Sequence, residues 1–313
     1  MAHLRRNHHK ASGGSSRFLI VLLVIGVLLF LLLYKGRPYL DKIFYKSSNQ
    51  IIFDPDSSEK IENKSQNSTF KRHPTFSHIP SFSGELLIHD YHILSFSHKY
   101  KQAEWAAWEV SKAALRLPNK IRKTFFTEDP KLTTVKLGPF DYKGSGYQRG
   151  HLVPVADISF DSIAIVQSHY MTNMSPQKRA FNNGIWRELE QSTRDWAWKY
   201  EKVFVVAGPI FIEPVQYMKS GVAIPNSFYR VIYAQIGSQS HSIGFIIPNE
   251  ISEKNLHKYV TTVDEVEFVT GIDFFYGLMN PITEKAVEST YDINFWPIND
   301  QTYNLRRTKW NFE

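Results

Sequence analysis

The sequence predicts an α+β fold over residues 79–313, set behind one N-terminal transmembrane helix. Two observations carry this reading. From about residue 80, short runs rich in β-branched and aromatic residues alternate with longer amphipathic ones, and no long spacer divides them. Well ahead of them, Phe18 to Tyr34 reads FLIVLLVIGVLLFLLLY without a charge, and as a helix it rises about 25 Å, the short end of what crosses a bilayer. With 42% hydrophobic and 14% aromatic residues in 313, a packed core is available and disorder throughout is excluded. The chain has no cysteine, which excludes disulfides, thiolate metal sites and a cysteine nucleophile. It also lacks a 20 to 50 residue repeat, a P-loop and a Gly-x-Gly-x-x-Gly after a strand, so nucleotide-cofactor folds are disfavoured.

In chain order, residues 1–17 form a basic tail, with Arg5, Arg6, Lys10 and Arg17 and no acid. Residues 18–34 follow as a signal anchor. The alternative is a cleaved secretory signal, but no Ala-x-Ala site follows in YKGRPYLDK. Lys35, Arg37, Lys42 and Lys46 nearly balance the basic residues ahead of the span. Placing the bulk of the chain on the extracytoplasmic side therefore rests on the function argued below. Residues 35–78 read as a flexible linker, rich in Ser, Asn, Lys and Glu with little apolar periodicity, and carry sequons at Asn63 and Asn67. Beyond it the expected strands are Glu85 to Ile88, His92 to Phe96, Lys202 to Ala207, Tyr229 to Ala234 and Ser242 to Ile247. Helices are expected at Gln102 to Ala114 and Gly184 to Tyr200, the second with Ile185, Trp186, Leu189 and Trp196 near a 3.6-residue period.

The net charge of +7 and pI near 9.3 suit a polyanionic partner, nucleic acid or a membrane surface. Part of that excess lies in the first 17 residues, so the folded region is less basic than the total implies. Chemistry concentrates in two segments. From Gly144 the chain reads GSGYQRGHLVPVAD, with His151 directly after Arg149-Gly150. A lone histidine among 12 is ordinarily structural; its neighbours make the difference. From Thr172 it reads TNMSPQKRAFNNGIWRELE, where Asn173, Asn182 and Asn183 precede a helix that carries Glu190. Asn supplies neutral oxygen ligands for a hard cation such as Mg²⁺, although Asn182 or Asn183 also suits an N-cap. On a straight helix the spacing of eight sets Glu190 about 12 Å along the axis from Asn182, so direct coordination of one ion by both is disfavoured.

QRGHLVPVAD, TNMSPQ and FNNGIWRELE together resemble the active-site block of the DNA/RNA non-specific endonucleases, the ββα-metal or His-Me finger group that includes endonuclease G. The resemblance spans about residues 80 to 280. YHILSFSHKYKQAEWAAWEV is similar to the family's opening strand and helix, VFVVAGPIF to its central strand, IPNSFYRVIY and FIIPNE to the following pair, and VDEVEFVTGIDFF to its late helix. It implies a mainly antiparallel central sheet flanked by helices, with the ββα unit around residues 145 to 200. It also implies His151 as general base, Asn182 as direct Mg²⁺ ligand and Glu190 as a carboxylate acting on the metal through water. Arg122 matches a phosphate-stabilising arginine, with Lys123 as the fallback; Arg149 matches the motif arginine, and Asn173 a polar support of the histidine loop. The family usually has Asp where this chain has Gln148, a supporting position that is neither base nor ligand.

The implied function is hydrolysis of DNA and RNA phosphodiesters by a membrane-anchored, Mg²⁺-dependent nuclease, with Mn²⁺ as a substitute and 5′-phosphate products. Imidazole can accept a proton near neutral pH, a hard cation can stabilise phosphoryl and leaving oxygens, and an arginine adds fixed charge. No recognition-helix, zinc-finger or RNP pattern is present, so sequence selectivity is expected to be low. Homodimers occur in the family, but no self-complementary surface is visible here. Two alternatives stay open at this point: a module that captures nucleic acid at the membrane without cutting, and a metallophosphodiesterase for other substrates.

Overall fold

The computed structural model describes residues 79–120 and 125–313. The expected transmembrane helix, the linker, both sequons, Arg122 and Lys123 lie outside the described residues. Among the described residues no helix is long and apolar enough to cross a membrane.

The strands are β1 (Glu85–Ile88), β2 (His92–Ser97), β3 (Gln102–Ser111), β4 (Gln148–His151), β5 (Met174–Gln177), β6 (Lys202–Ile210), β7 (Gln216–Tyr217), β8 (Ala223–Ile224), β9 (Ser227–Ile236), β10 (Gln239–Pro248) and β11 (Val260–Thr261). The α-helices are α1 (Lys112–Leu115), α2 (Val155–Ile158), α3 (Ser162–Ser168), α4 (Arg187–Tyr200), α5 (Val263–Thr270), α6 (Pro281–Glu288) and α7 (Asp300–Thr308). Seven strands form one sheet in the order β1-β2-β3-β6-β9-β10-β11, antiparallel at every pairing. β4 and β5 form a separate antiparallel ribbon. The architecture is α+β, with the sheet central.

Both faces of the sheet are buried. One carries Leu94, Phe96, Trp108, Val205, Ile232 and Phe245 against Trp186, Leu189 and Trp196 from α4 and the turn before it. The other carries Ile93, Trp105, Val206, Tyr229, Val231 and Tyr233 against Val263 and Val266 of α5. Successive side chains of a strand point to opposite faces, so a strand covered twice reads as a nearly continuous apolar run.

That pattern explains one correction. Gln102 to Ala114 was expected to be helical, but Gln102–Ser111 is a strand followed by the single helical turn of α1. Its Ala, Glu and Trp content and the three-residue spacing of Trp105 and Trp108 imitate a helix. In the sheet Trp105 and Ala107 face one core while Ala106, Trp108 and Val110 face the other. Pairing on both edges, with Ala106 opposite Ala207 and His92 opposite Trp108, overrides local propensity. The family's expected opening strand and helix is therefore a β-hairpin here. The five expected strands all form, each at or slightly beyond its expected ends.

Candidate active site

His151 is the last residue of β4, opposite Met174 of β5. Gly150, one residue earlier, faces the carboxamide of Gln177 so closely that a Cβ there would lie 2.0 Å from its Oε1. Only glycine allows this approach of the two strands. Immediately after His151 the chain is clamped by Asn173. The Leu152 amide donates to the Asn173 carbonyl at 3.0 Å and the Val153 amide to its Oδ1 at 2.9 Å. Asn173 Nδ2 donates in turn to the carbonyls of Val153 and Ser168, at 3.0 and 2.9 Å. Asn173 is fully buried, and its side chain uses one acceptor and both donors. The imidazole of His151 lies edge-on to His169, centroids 5.1 Å apart, and 5.8 Å from the ring of Phe126.

The turn that carries Asn173 is itself anchored. Thr172 Oγ1 donates to Asp129 Oδ2 at 2.6 Å, and His89 Nε2 lies 3.0 Å from the same oxygen. Burial pushes the Asp129 carboxyl up, but hydrogen bonds from His89, Thr172 and the Lys131 amide outweigh it and hold the group below its ordinary range. Neither His89 nor Asp129 stood out in the sequence, since both lie well before the histidine motif.

Asn182 lies in a π-helical turn, Phe181–Trp186, whose Gly184 has φ −94° and ψ −109°, outside helical values. The turn overturns two expectations. The caps are Ala180 for the turn and Trp186 for α4, so neither Asn182 nor Asn183 is an N-cap. Helix spacing from Asn182 to Glu190 does not apply either, because the kink at Gly184 interrupts it. The cause is tertiary: a Cβ on Gly184 would lie 2.4 Å from Asn311 Oδ1, so the C-terminal segment packs into the kink. Asn182 Nδ2 donates to Gln148 Oε1 at 2.7 Å. Gln148 shares β4 with His151, so one hydrogen bond ties the histidine strand to the asparagine turn.

Glu190, in the first turn of α4, faces a buried guanidinium. Arg230 Nη2 lies 3.9 Å from Glu190 Oε1, with side-chain exposures of 0% and 17%. Burial pushes Glu190 up to about 7 against the pull of Arg230 and Arg194, and pushes Arg230 down to about 10, still charged at neutral pH. Arg230 also sits over the rings of Trp186 and Trp108, at 4.5 and 5.5 Å, and donates to Thr193 Oγ1 at 3.3 Å. The sequence carries one signal for it, a single arginine interrupting the apolar run SFYRVIYAQI, and its bond to Thr193 places it on the face toward α4. Asp157, the last residue of the histidine motif, docks that motif onto the sheet and helix. It accepts from Trp108 Nε1 at 3.0 Å and from Arg194 Nη1 at 2.9 Å.

Arg149 is engaged elsewhere. Its Nη2 and Nε donate to the Pro139 carbonyl at 2.7 and 3.3 Å, and its guanidinium lies 5.0 Å from the Phe126 ring. Through Phe126 it borders His151, which makes it a positioning residue in this arrangement. The structure thus joins Gln148 to Asn182, has Asn173 fix the residues after His151, sets Glu190 on its own pair with Arg230, and ties Arg149 to the Pro139 carbonyl in the loop before β4.

Residues 59–280 match the family described as DNA/RNA non-specific endonuclease. The chain belongs to this family. It is similar to Nuclease C1 of Cunninghamella echinulata var. echinulata, 29% identical over 213 residues that cover 63% of this chain and 84% of that protein. It is also similar to the mitochondrial nuclease of Saccharomyces cerevisiae, 29% identical over 290 residues, 83% of this chain and 84% of that protein. Among solved structures, a chain of the EndoG/EndoGI complex superposes with a TM-score of 0.56 at 23% identity, over 63% of this chain and 88% of that one, a likeness of fold. The protein is a nucleic-acid-hydrolysing endonuclease of a family that works with a divalent metal.

The residues present fit such an ion in one way. Gln148 occupies Nδ2 of Asn182, and this leaves Oδ1, a neutral oxygen of the kind hard cations accept, with no donor on it among the described residues. No three His, Cys, Asp or Glu side chains converge there among the described residues. A sparse, weakly charged donor set leaves most of the ion's shell to water, as Mg²⁺ tolerates.

Proposed function

We propose that this endonuclease hydrolyses phosphodiester bonds of both DNA and RNA, with His151 as general base and Mg²⁺ held at Asn182. The observation that carries this reading is the Gln148–Asn182 hydrogen bond, which couples the strand bearing the base to the turn bearing the ligand. His151 takes the proton of the attacking water, held in place because Asn173 fixes the two residues after it. Asn182 Oδ1 would hold the ion and Glu190 would support it at one water's remove, with Arg230 keeping that carboxylate in place. Bound Mg²⁺, or Mn²⁺ in its stead, supplies Lewis-acid stabilisation of the phosphoryl oxygens and the departing 3′-oxygen. Arg122 contributes fixed positive charge to the phosphate in this scheme. Because water attacks and no ribose 2′-hydroxyl takes part, deoxyribose and ribose substrates are equivalent.

The test uses the full-length chain in detergent beside His151→Ala, with circular plasmid and RNA, in Mg²⁺ and in EDTA. Wild type nicks the plasmid and degrades the RNA; EDTA stops both, and His151→Ala lowers the rate about 10²- to 10⁴-fold. Full activity of His151→Ala would refute the assignment of the base. Cleavage confined to small phosphodiesters would point instead to a different metallophosphodiesterase.

Membrane anchoring through residues 18–34, with the nuclease on the extracytoplasmic side, is proposed on the uncharged apolar run alone. Release of the chain by alkaline carbonate, or its protection from external protease in intact cells, counts against it. Homodimer formation is implied by the family resemblance only, and light scattering on the purified chain decides it.

A further inference from the structure

Across the sheet from α4, helices α5 and α6 bring three carboxylates together. Asp264 and Glu267 lie one turn apart on α5, and Glu288 ends α6. One oxygen from each lies within 4.8 Å of the other two. Among the described residues none of the three forms an ion pair. Glu288 is 5% exposed, and its Oε1 has no hydrogen-bond partner. A buried carboxylate oxygen without a donor is costly, and such a group calls for a partner, whether a proton, a water or an ion. The surrounding chain holds these groups in place. Glu267 Oε1 accepts the Phe274 amide at 2.9 Å, and Ser242 of β10 donates to the Val287 carbonyl at 2.7 Å, fixing the end of α6 on the sheet.

We propose that Asp264, Glu267 and Glu288 bind a Ca²⁺ ion that joins α5 to α6, separate from the nuclease site. The donors are all carboxylate oxygens, which selects a hard cation and leaves no nitrogen or sulfur for a transition metal. The number of protein carboxylates favours calcium: Mg²⁺ dehydrates reluctantly and is usually held by one or two carboxylates, whereas Ca²⁺ takes about six to eight oxygens in a flexible shell. Asp264 is exposed and gives the ion access from solvent, while Glu288 closes the inner side. Asp273 and Glu284 add negative charge nearby.

Calcium titration calorimetry and thermal melts on the full-length chain in detergent test this, in an Asn182→Ala background that removes the ligand of the nuclease site. One Ca²⁺ should bind per chain, and saturating Ca²⁺ should raise the Tm by about 5 °C. Adding Asp264→Asn with Glu267→Gln should abolish the heat and the shift, as should Glu288→Gln alone. The same substitutions in the chain with Asn182 intact should leave Mg²⁺-dependent plasmid nicking unchanged, which shows that the variants fold. Equal Ca²⁺ heat and equal shifts with and without the three carboxylates overturn the proposal. So does the absence of both in the Asn182→Ala parent, which would leave the cluster as carboxyl groups sharing protons.

Discussion

Gln148, where the family resemblance implies an Asp, contacts the Asn182 amide directly. What the contact needs is an acceptor, which both Asp and Gln provide. Gln148→Leu is therefore expected to raise the Mg²⁺ concentration for half-maximal nicking about 10- to 100-fold, as loss of an outer-shell partner does. Gln148→Asp should restore it, and an unchanged Mg²⁺ dependence in Gln148→Leu would remove the glutamine from the site. At this scale the motif around His151 stands out because its residues are contiguous, whereas the contacts that seat it, Gly150 against Gln177 and Asp157 against Trp108 and Arg194, are long-range and left no mark in the sequence. Arg230 shows in the sequence only as a lone arginine in an apolar run, and its pairing with Glu190 does not show there, because the two meet only through the packing of α4 on β9.

Among the elements, strands were read more reliably than the helical segments, for a physical reason. β6, β9 and β10 are dense in β-branched and aromatic residues, and their interior positions agree with their propensities. β3 carries a helix-like composition in a strand position, and the turn before α4 takes its shape from the far end of the chain. That far end forms a clasp on α4. Arg306 of α7 and Glu188 of α4 form a fully buried ion pair, and Arg306 also donates to the carbonyls of Ser252 and Lys254. Arg187 pairs with Glu313 at 2.8 Å and lies 4.3 Å from the Trp310 ring. Arg306→Ala leaves Glu188 buried without a counter-charge and should cost about 3 to 5 kcal/mol in urea unfolding. A loss under about 1 kcal/mol would mean that the clasp contributes little.

For the molecule as a whole, acid is the expected weakness. His92 is fully buried in β2, and burial, with the nearby His89 and Lys131, holds its pKa well below the ordinary 6.5. The unfolded chain takes up a proton below 6.5 while the folded one does not, so stability is full above that pH and falls as acid is added. The slope attributable to this one group approaches about 1.4 kcal/mol per pH unit. Urea midpoints for wild type and His92→Leu should diverge between pH 7 and 5, with the variant the less acid-sensitive; parallel decline in both would put the sensitivity elsewhere. The clasp also ties together parts of the chain that are far apart in sequence. The kink beside Asn182 is packed by Asn311, and α4 is held by Arg306 and Glu313, whose partners Glu188 and Arg187 lie 118 and 126 residues earlier. A protease cut in the intervening stretch would leave every residue in place in the sequence, yet the seat of Asn182 would then depend on two fragments staying together.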